Sequence, residues 1–123
     1  MLEKGLKHST TKVVDRSLLA VTLGSGDLEV LATPALVAAL ENAAMLTVAP
    51  HLESTETTVG GHIDLKHLSP TALGKSFTVT AILDKVDGKR LDFVLYAVEG
   101  DKEIGKGTHT RFIVNRERFM SKL

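Results

Sequence analysis

Cysteine is absent from this sequence of 123 residues. The chain therefore forms no disulfide bond, no thiolate zinc site and no cysteine nucleophile, so we expect any nucleophile to be an oxygen atom. A chain without disulfides fits a reducing compartment, and we expect a cytoplasmic location. His8, His51 and His109 show no metal-ligand spacing with one another, so no metal site is expected.

An excess of charge of one sign is also missing. Fifteen Lys and Arg residues balance fifteen Asp and Glu residues, and no stretch concentrates either sign. Nucleic acids and acidic membranes are bound by basic patches, so we expect neither as a partner. A small ligand that carries phosphate remains compatible with this balance.

No apolar run reaches the roughly 20 residues that a bilayer-spanning helix needs. The longest run extends from Pro34 to Pro50 and contains Glu41 near its middle. Residues 1–8 carry three charged side chains, so they lack the apolar centre of a signal peptide. The final residues, 121–123, match a peroxisomal address, but we interpret so short a match at a basic tail as chance.

The run from Pro34 to Pro50 predicts a buried helix, because Ala and Leu dominate it. Thr33 suits the N-cap, Pro34 suits the first helical position, and Pro50 marks the end. A helix that is apolar on every side must be surrounded by other elements. This requirement favours a curved sheet wrapped around the helix.

Extended segments follow the helix. One predicted strand runs into the hairpin signal Asp87-Gly88 and two more come after it, which makes an antiparallel meander. The predicted strands cover residues 76–83, 90–98 and 103–114, residues 57–68 are also extended, and weaker strand-like runs occupy residues 10–14 and 19–23. The sequence thus predicts one α+β domain, residues 1–123, with an antiparallel sheet.

Glu41 lies in the middle of the predicted buried helix, where an ionised carboxylate is costly unless it is paired, hydrated or protonated. One interpretation is structural: Glu41 faces a solvent channel or a groove between subunits and makes a hydrogen bond there. The other interpretation is catalytic. Asn42 lies on a different helix face, which favours a role as a capping or interface residue.

His67 is the second polar residue on an apolar face. If residues 61–68 form a strand, its side chains alternate, so that His67 shares the inward face with Ile63 and Leu65. Such a histidine is either a satisfied core residue or an acid/base group. Glu41 could be its partner, since a carboxylate that orients an imidazole is the usual support for acid/base work.

Thr33 and the Gly60-Gly61 pair have two interpretations each. Thr33 is explained as a helix cap, but a hydroxyl at the amino end of a helix could also hold a developing oxyanion. The glycines form a bulge or let the backbone approach a ligand closely. Thr33 and Glu41 would be about 12 Å apart along the helix, which is too far for direct contact.

The order of these residues resembles a known family. The relevant segments are residues 33–37 leading to Glu41, residues 49–53, Gly60, His67 and residues 103–109, which read Glu-Ile-Gly-Lys-Gly-Thr-His. Together they are similar to the fluoroacetyl-CoA thioesterase-like family of the hot-dog fold thioesterase superfamily. The similarity covers residues 29–119, nearly the whole chain.

This resemblance implies an acyl-CoA thioesterase. Glu41 would be the nucleophile or the base for water, His67 its acid/base partner, and Thr33 the hydroxyl that aligns them. The resemblance further implies substrate contacts from Gly60 and Gly61, and from Gly107 and His109 along the coenzyme A arm. Arg111 and the basic tail would meet the phosphates of coenzyme A or be solvated surface charges.

The resemblance also implies partners. Hot-dog domains pair their sheets edge to edge, so a homodimer is expected, with a tetramer left open. No cofactor is expected, because coenzyme A enters as part of the substrate. Two departures from the family pattern matter: no aromatic residue precedes Phe77, and Pro34 follows Thr33 where a glycine is usual. An aromatic lid over the acyl group is therefore not expected, and the fluoroacetyl preference is not carried over.

Two other functions compete with hydrolysis. A non-catalytic acyl-CoA binding module would use the same pocket without turnover. A hot-dog hydratase would pair an aspartate with a histidine about five residues apart, but Asp64 and His67 have a different spacing and lie on opposite strand faces. The sequence thus favours hydrolysis of a small or medium acyl-CoA.

Overall fold

Five antiparallel strands form one sheet in the computed structural model, which describes residues 1–123. The strands are β1 (Lys7–Val13), β2 (Glu56–His67), β3 (Ser76–Asp87), β4 (Arg90–Glu99) and β5 (Lys102–Asn115). They lie in the order β1-β3-β4-β5-β2, so β1 and β2 are the two edges of the sheet. The predicted α+β class with an antiparallel sheet is confirmed.

Three α-helices accompany the sheet: α1 (Ala20–Leu23), α2 (Thr33–Val48) and α3 (Arg116–Ser121), with short 3-10 helices at Arg16–Leu18 and Ala49–His51. The long helix α2 packs across β3 and β1, and it buries a face made of Ala, Leu, Thr and Val side chains. Its opposite face, which includes Pro34, Ala38, Asn42 and Leu46, is exposed. The expectation that the helix is surrounded on every side is therefore wrong for a single chain.

The core lies between α2 and the face of the sheet that packs against it. Phe77 of β3 and Phe93 of β4 are fully buried against the α2 side, together with Leu36 and Leu40 of the helix itself. Each such side chain stabilises the fold by about 1.5–3 kcal/mol. The core therefore holds α2 at a set position over the sheet. No helix combines the length and hydropathy needed to cross a membrane.

The β3–β4 hairpin is where it was predicted. Asp87 pairs with Arg90, and Gly88 between them adopts a φ of +61°, a left-handed conformation that glycine reaches without strain. Residues 57–68 are confirmed as β2, and the weak run at residues 10–14 corresponds to β1.

The prediction of a strand at residues 19–23 is wrong, because this segment forms the short helix α1. Its residues have β-forming side chains, but local capping decides the conformation. Gly24 closes α1 in the left-handed conformation and donates its N–H to the carbonyl of Ala20. Asp15 accepts a hydrogen bond of 2.9 Å from the N–H of Ser17 and starts the preceding turn.

Gly107 allows β5 to lie close to β2. It pairs with Leu65, and a Cβ at this position would collide with the carbonyl of Asp64 and lie 2.9 Å from Cα of Leu65. The obstacle is backbone, which cannot rotate away. The glycine is thus required by strand packing as well as being a candidate for substrate contact.

We expect Gly107→Ala to lower the free energy of unfolding by about 3 kcal/mol, near the upper end for overpacking, because β2 must shift to admit the methyl group. Urea denaturation measures this difference. The matched control is Thr108→Ala, an exposed neighbour on the same strand, which should change stability by less than about 0.5 kcal/mol. Equal denaturation midpoints for the two variants would contradict the packing argument.

Candidate active site

Thr33 and His67 form a hydrogen-bonded pair. Thr33 is the first residue of α2, and its Oγ1 lies 2.7 Å from Nδ1 of His67, the last residue of β2. Ala32 precedes the helix in an extended conformation, and no side chain caps the helix. The interpretation of Thr33 as the N-cap is therefore wrong, because its hydroxyl is committed to the imidazole.

His67 lies half-buried on the inward face of β2. Ile63 and Leu65 share this face, whereas the residues that alternate with them are exposed, as predicted. Nε2 of His67 is buried and has no hydrogen-bond partner. Burial lowers the pKa of His67, and the backbone of Ser69 acts against this shift without reaching hydrogen-bond geometry to Nε2. The neutral ring thus presents one uncommitted nitrogen.

Glu41 belongs to a second group of polar residues. Its side chain reaches over Gly60 of β2: a Cβ built on Gly60 would lie 3.1 Å from Oε2 of Glu41 and 3.5 Å from Nη1 of Arg111. Glu41 is half-buried, and no ion pair of the protein includes it. The cost of burying this carboxylate, which the sequence predicted must be offset, is reduced by partial hydration and by the nearby positive charge of Arg111.

Arg111 is buried, with a relative exposure of 6%. Its Nε donates to Oγ1 of Thr58 at 2.8 Å, and Nη2 donates to the carbonyl of Thr58 at 2.8 Å. Burial lowers the pKa of Arg111 and Glu41 raises it, but a guanidinium stays protonated in proteins. The interpretation of Arg111 as solvated surface charge is therefore wrong.

His109 lies beside Arg111 and is 2% exposed. Its Nδ1 is 2.6 Å from the carbonyl oxygen of His62, and its Nε2 is 3.2 Å from Nη1 of Arg111. Burial lowers the pKa of His109, while the His62 carbonyl and Glu41 raise it and Arg111 lowers it further. Both ring nitrogens are thus committed to protein groups.

The Gly60-Gly61 pair forms a β-bulge in β2. Gly60 pairs with Arg111 and His62 pairs with Thr110, so that Gly61 has no opposite residue. A Cβ on Gly61 would lie 2.5 Å from the ring of Phe112. The bulge, one of the two alternatives that the sequence allowed, is therefore present. Because Gly60 has no side chain, it also leaves the space into which Glu41 and Arg111 point.

The two groups lie at different points along β2: Gly60 is near its middle and His67 is its last residue. Gly60 and His67 are separated by about 20 Å along the strand, and Thr33 and Glu41 by about 12 Å along α2. Within one chain the structure joins Thr33 with His67 and Glu41 with Gly60 and Arg111, but it does not join Glu41 with His67. Catalytic roles for these residues stay predictions.

The sequence analysis misjudged Arg111 and missed Thr58. For Arg111 a signal was available: Gly105, Gly107, His109 and Arg111 occupy alternate positions of a predicted strand, so a buried arginine could be expected on the inward face. The sequence carried no indication that Thr58, across the bulge, would supply both acceptors.

Solved structures identify the class. The chain superposes on the fluoroacetyl-CoA thioesterase FlK with a TM-score of 0.92 and 33% identity, covering 99% of this chain and 95% of that one. A variant of FlK in complex with acetyl-CoA gives a TM-score of 0.93 at 32% identity, with 98% and 96% of the two chains covered. A thioesterase superfamily member from Thermus thermophilus matches at 0.91 with 23% identity, covering 99% and 90%, and supports the fold alone. The fold is that of the hot-dog thioesterases.

Sequence comparison narrows the class further. The family model described as fluoroacetyl-CoA-specific thioesterase matches residues 14–117. The fluoroacetyl-CoA thioesterase of Streptantibioticus cattleyicolor is 40% identical over 95 residues, which make up 77% of this chain and 68% of the relative. The chain therefore belongs to the fluoroacetyl-CoA-specific thioesterase family and is a thioester hydrolase, which favours catalysis over the non-catalytic binding module.

The lowered pKa values of His67 and His109 predict a loss of stability in acid. Both residues ionise below the ordinary value of 6.5 in the folded chain, so the unfolded chain takes up protons first as the pH falls. Their contribution is fully present above pH 6.5 and is lost as the pH falls through their folded pKa values.

Urea denaturation between about pH 8 and about pH 5 tests this dependence. The double variant His67→Gln/His109→Gln should have a flatter profile than the unmodified protein. The exposed His51→Gln serves as the control and should keep the original profile. Indistinguishable profiles for the double variant and the unmodified protein would refute the prediction.

Proposed function

We propose that the protein hydrolyses small or medium acyl-CoA thioesters to the free acid and coenzyme A. The observation that carries this proposal is the Thr33–His67 pair, which leaves Nε2 of His67 buried and uncommitted. A buried nitrogen without a protein partner is available to a water molecule or to a substrate. Membership of a thioesterase family identifies the reaction class that such a group would serve.

In the proposed mechanism, Glu41 acts as the nucleophile or as the base for a water molecule. The oxygen forms a bond to the acyl carbon, and the carbonyl oxygen, as its charge develops, is stabilised by the N–H of Gly60 and the charge of Arg111. If Glu41 acts as the base, His67 accepts at Nε2 the proton that Glu41 removes from water and passes it to the departing sulfur atom when the C–S bond breaks. If Glu41 is the nucleophile, coenzyme A leaves as a thiolate and water hydrolyses the resulting anhydride to the free acid and Glu41. His67 then accepts the proton of that water, and the thiolate takes it up. Thr33 keeps the imidazole of His67 oriented.

The acyl group would lie along α2. Val37 and Met45 flank Glu41 at a spacing of one helical turn and are half-buried, so they present apolar walls on the same face as the carboxylate. The relatives are named for fluoroacetyl-CoA, but this chain has no aromatic residue before Phe77 to cover that position. We therefore propose a broader preference for small or medium acyl groups.

A second copy of the chain would complete the site. β2 is an edge strand, so its outer hydrogen-bonding groups are free to pair with another strand. If two copies pair antiparallel through β2 about an axis midway between Gly60 and His67, the partner's His67 comes to the Gly60 end, beside Glu41. We propose a homodimer in which each site takes Glu41 from one protomer and the Thr33–His67 pair from the other.

We expect purified protein to release coenzyme A from at least part of an acyl-CoA series of graded chain length. Glu41→Gln and His67→Gln should each lower kcat by about 100-fold or more, the range for loss of an acid/base group. Thr33→Ser should retain more activity than Thr33→Val, because serine keeps the hydroxyl. The matched control is His62→Gln, an exposed histidine on the same strand. No release from any member of the series would refute the proposal.

The shared site predicts complementation between two inactive variants. When Glu41→Gln and His67→Gln proteins are unfolded together and refolded, heterodimers should form in which one of the two sites has both intact residues. Activity should rise well above that of either variant alone. A mixture that stays inactive, while sedimentation velocity shows dimers or larger assemblies, would place both residues in sites formed by one chain.

A further inference from the structure

His109 is the buried histidine that the proposed mechanism does not use. It lies on the inward face of β5, two residues before Arg111, and its ring nitrogens bond only to protein groups. We propose that His109 is a positioning residue, which holds the guanidinium of Arg111 beside Glu41 by accepting a hydrogen bond at Nε2. This inference rests on the proposed function and adds a residue to it.

The hydrogen bonds define the tautomer of His109. The carbonyl oxygen of His62 can only accept, so the 2.6 Å contact requires a proton on Nδ1 of His109. In a neutral imidazole, Nε2 then carries a lone pair, and Arg111 can only donate to it. The 3.2 Å contact between Nη1 of Arg111 and Nε2 is therefore an N–H···N hydrogen bond.

The direction of this hydrogen bond matters for Arg111. Three of its five N–H groups are bonded: two to Thr58 along one edge of the guanidinium and one to His109 at the opposite corner. The other two have no protein partner. Nη1 and the carboxylate of Glu41 converge above Gly60, where the acyl carbonyl is proposed to bind. Without His109, only one edge of the guanidinium would be held.

A purely structural role is the competing explanation. The bond from Nδ1 to the His62 carbonyl ties β5 to β2 next to the bulge, and that alone could account for a buried histidine. Two substitutions separate these roles. In His109→Asn the amide lies near the position of Nδ1 and can still donate to His62, whereas in His109→Gln the amide oxygen lies near Nε2 and can still accept from Arg111.

The positioning role predicts that His109→Gln retains most of the kcat with acyl-CoA, whereas His109→Asn loses about 10- to 100-fold, as expected for one hydrogen bond to a charged group. The structural role predicts the reverse order, with the larger loss of thermal stability in His109→Gln. Retention of kcat by Asn and loss by Gln would overturn the proposal.

The acid side of the pH profile supplies a second kinetic test. Protonation of His109 would turn Nε2 into a donor that faces the cation Arg111, with His62 and Glu41 as the other titratable groups around it. Activity should therefore fall more steeply in acid for the unmodified protein than for His109→Gln. Equal steepness would count against the proposal.

Nuclear magnetic resonance tests the positioning without relying on turnover. The nitrogen shifts of His109 should report a proton on Nδ1, and the Nη1–H of Arg111 that bonds His109 should be protected from solvent exchange in the unmodified protein and in His109→Gln. Protection should be lost in His109→Asn. If no thioester is hydrolysed, the proposed function fails while this measurement still decides whether His109 holds Arg111; equal protection in all three proteins would overturn the inference.

Discussion

The buried guanidinium of Arg111 and the half-buried carboxylate of Glu41 both approach Gly60 of β2, and much of the surrounding structure is arranged around these two opposite charges. A buried charge is destabilising unless its hydrogen bonds are satisfied. Thr58 and His109 provide three acceptors, and the missing side chain of Gly60 leaves space between the two charged groups. The bulge at Gly61 follows immediately in the same strand.

The order of the strands places both polar groups along one edge of the sheet. β2 carries Gly60 near its middle and His67 at its end, and it is an edge of the sheet. The Thr33–His67 pair and the Glu41 group are therefore both next to an open row of backbone hydrogen-bonding groups. A hot-dog thioesterase whose two polar groups flank one open edge is suited to a site shared between two copies, as proposed above.

Much of the fold could be predicted because it depends on local periodicity. The apolar run of α2, the Asp87-Gly88 turn and the alternation along β2 each determine one element through its own residues. The error at residues 19–23 arose because caps from Gly24 and Asp15 outweighed β propensity over a segment too short for periodicity to be informative. Exposure of one face of α2 could not be predicted, since it depends on how far the sheet curves.

The candidate site was only partly predictable. Glu41 and His67 stand out in the sequence because each is polar on an apolar face, and the resemblance to a thioesterase family adds Thr33. The hydroxyl of Thr33 could cap a helix or bond an imidazole 34 residues away, and only the tertiary structure decides between them. The alternation along β5 could indicate that Arg111 is on the inward face, but the sequence does not show that its acceptors come from Thr58, 53 residues earlier.

The sequence by itself determined the α+β class, the helix and the hairpin. It also identified Glu41 and His67 as polar residues on apolar faces, because each of these features follows from spacing within one segment. Only the tertiary structure decided which polar groups meet. It bonded Thr33 to His67 and brought Glu41 near Arg111, because hydrogen bonding and charge compensation depend on distances between segments that the order of residues along the chain does not contain.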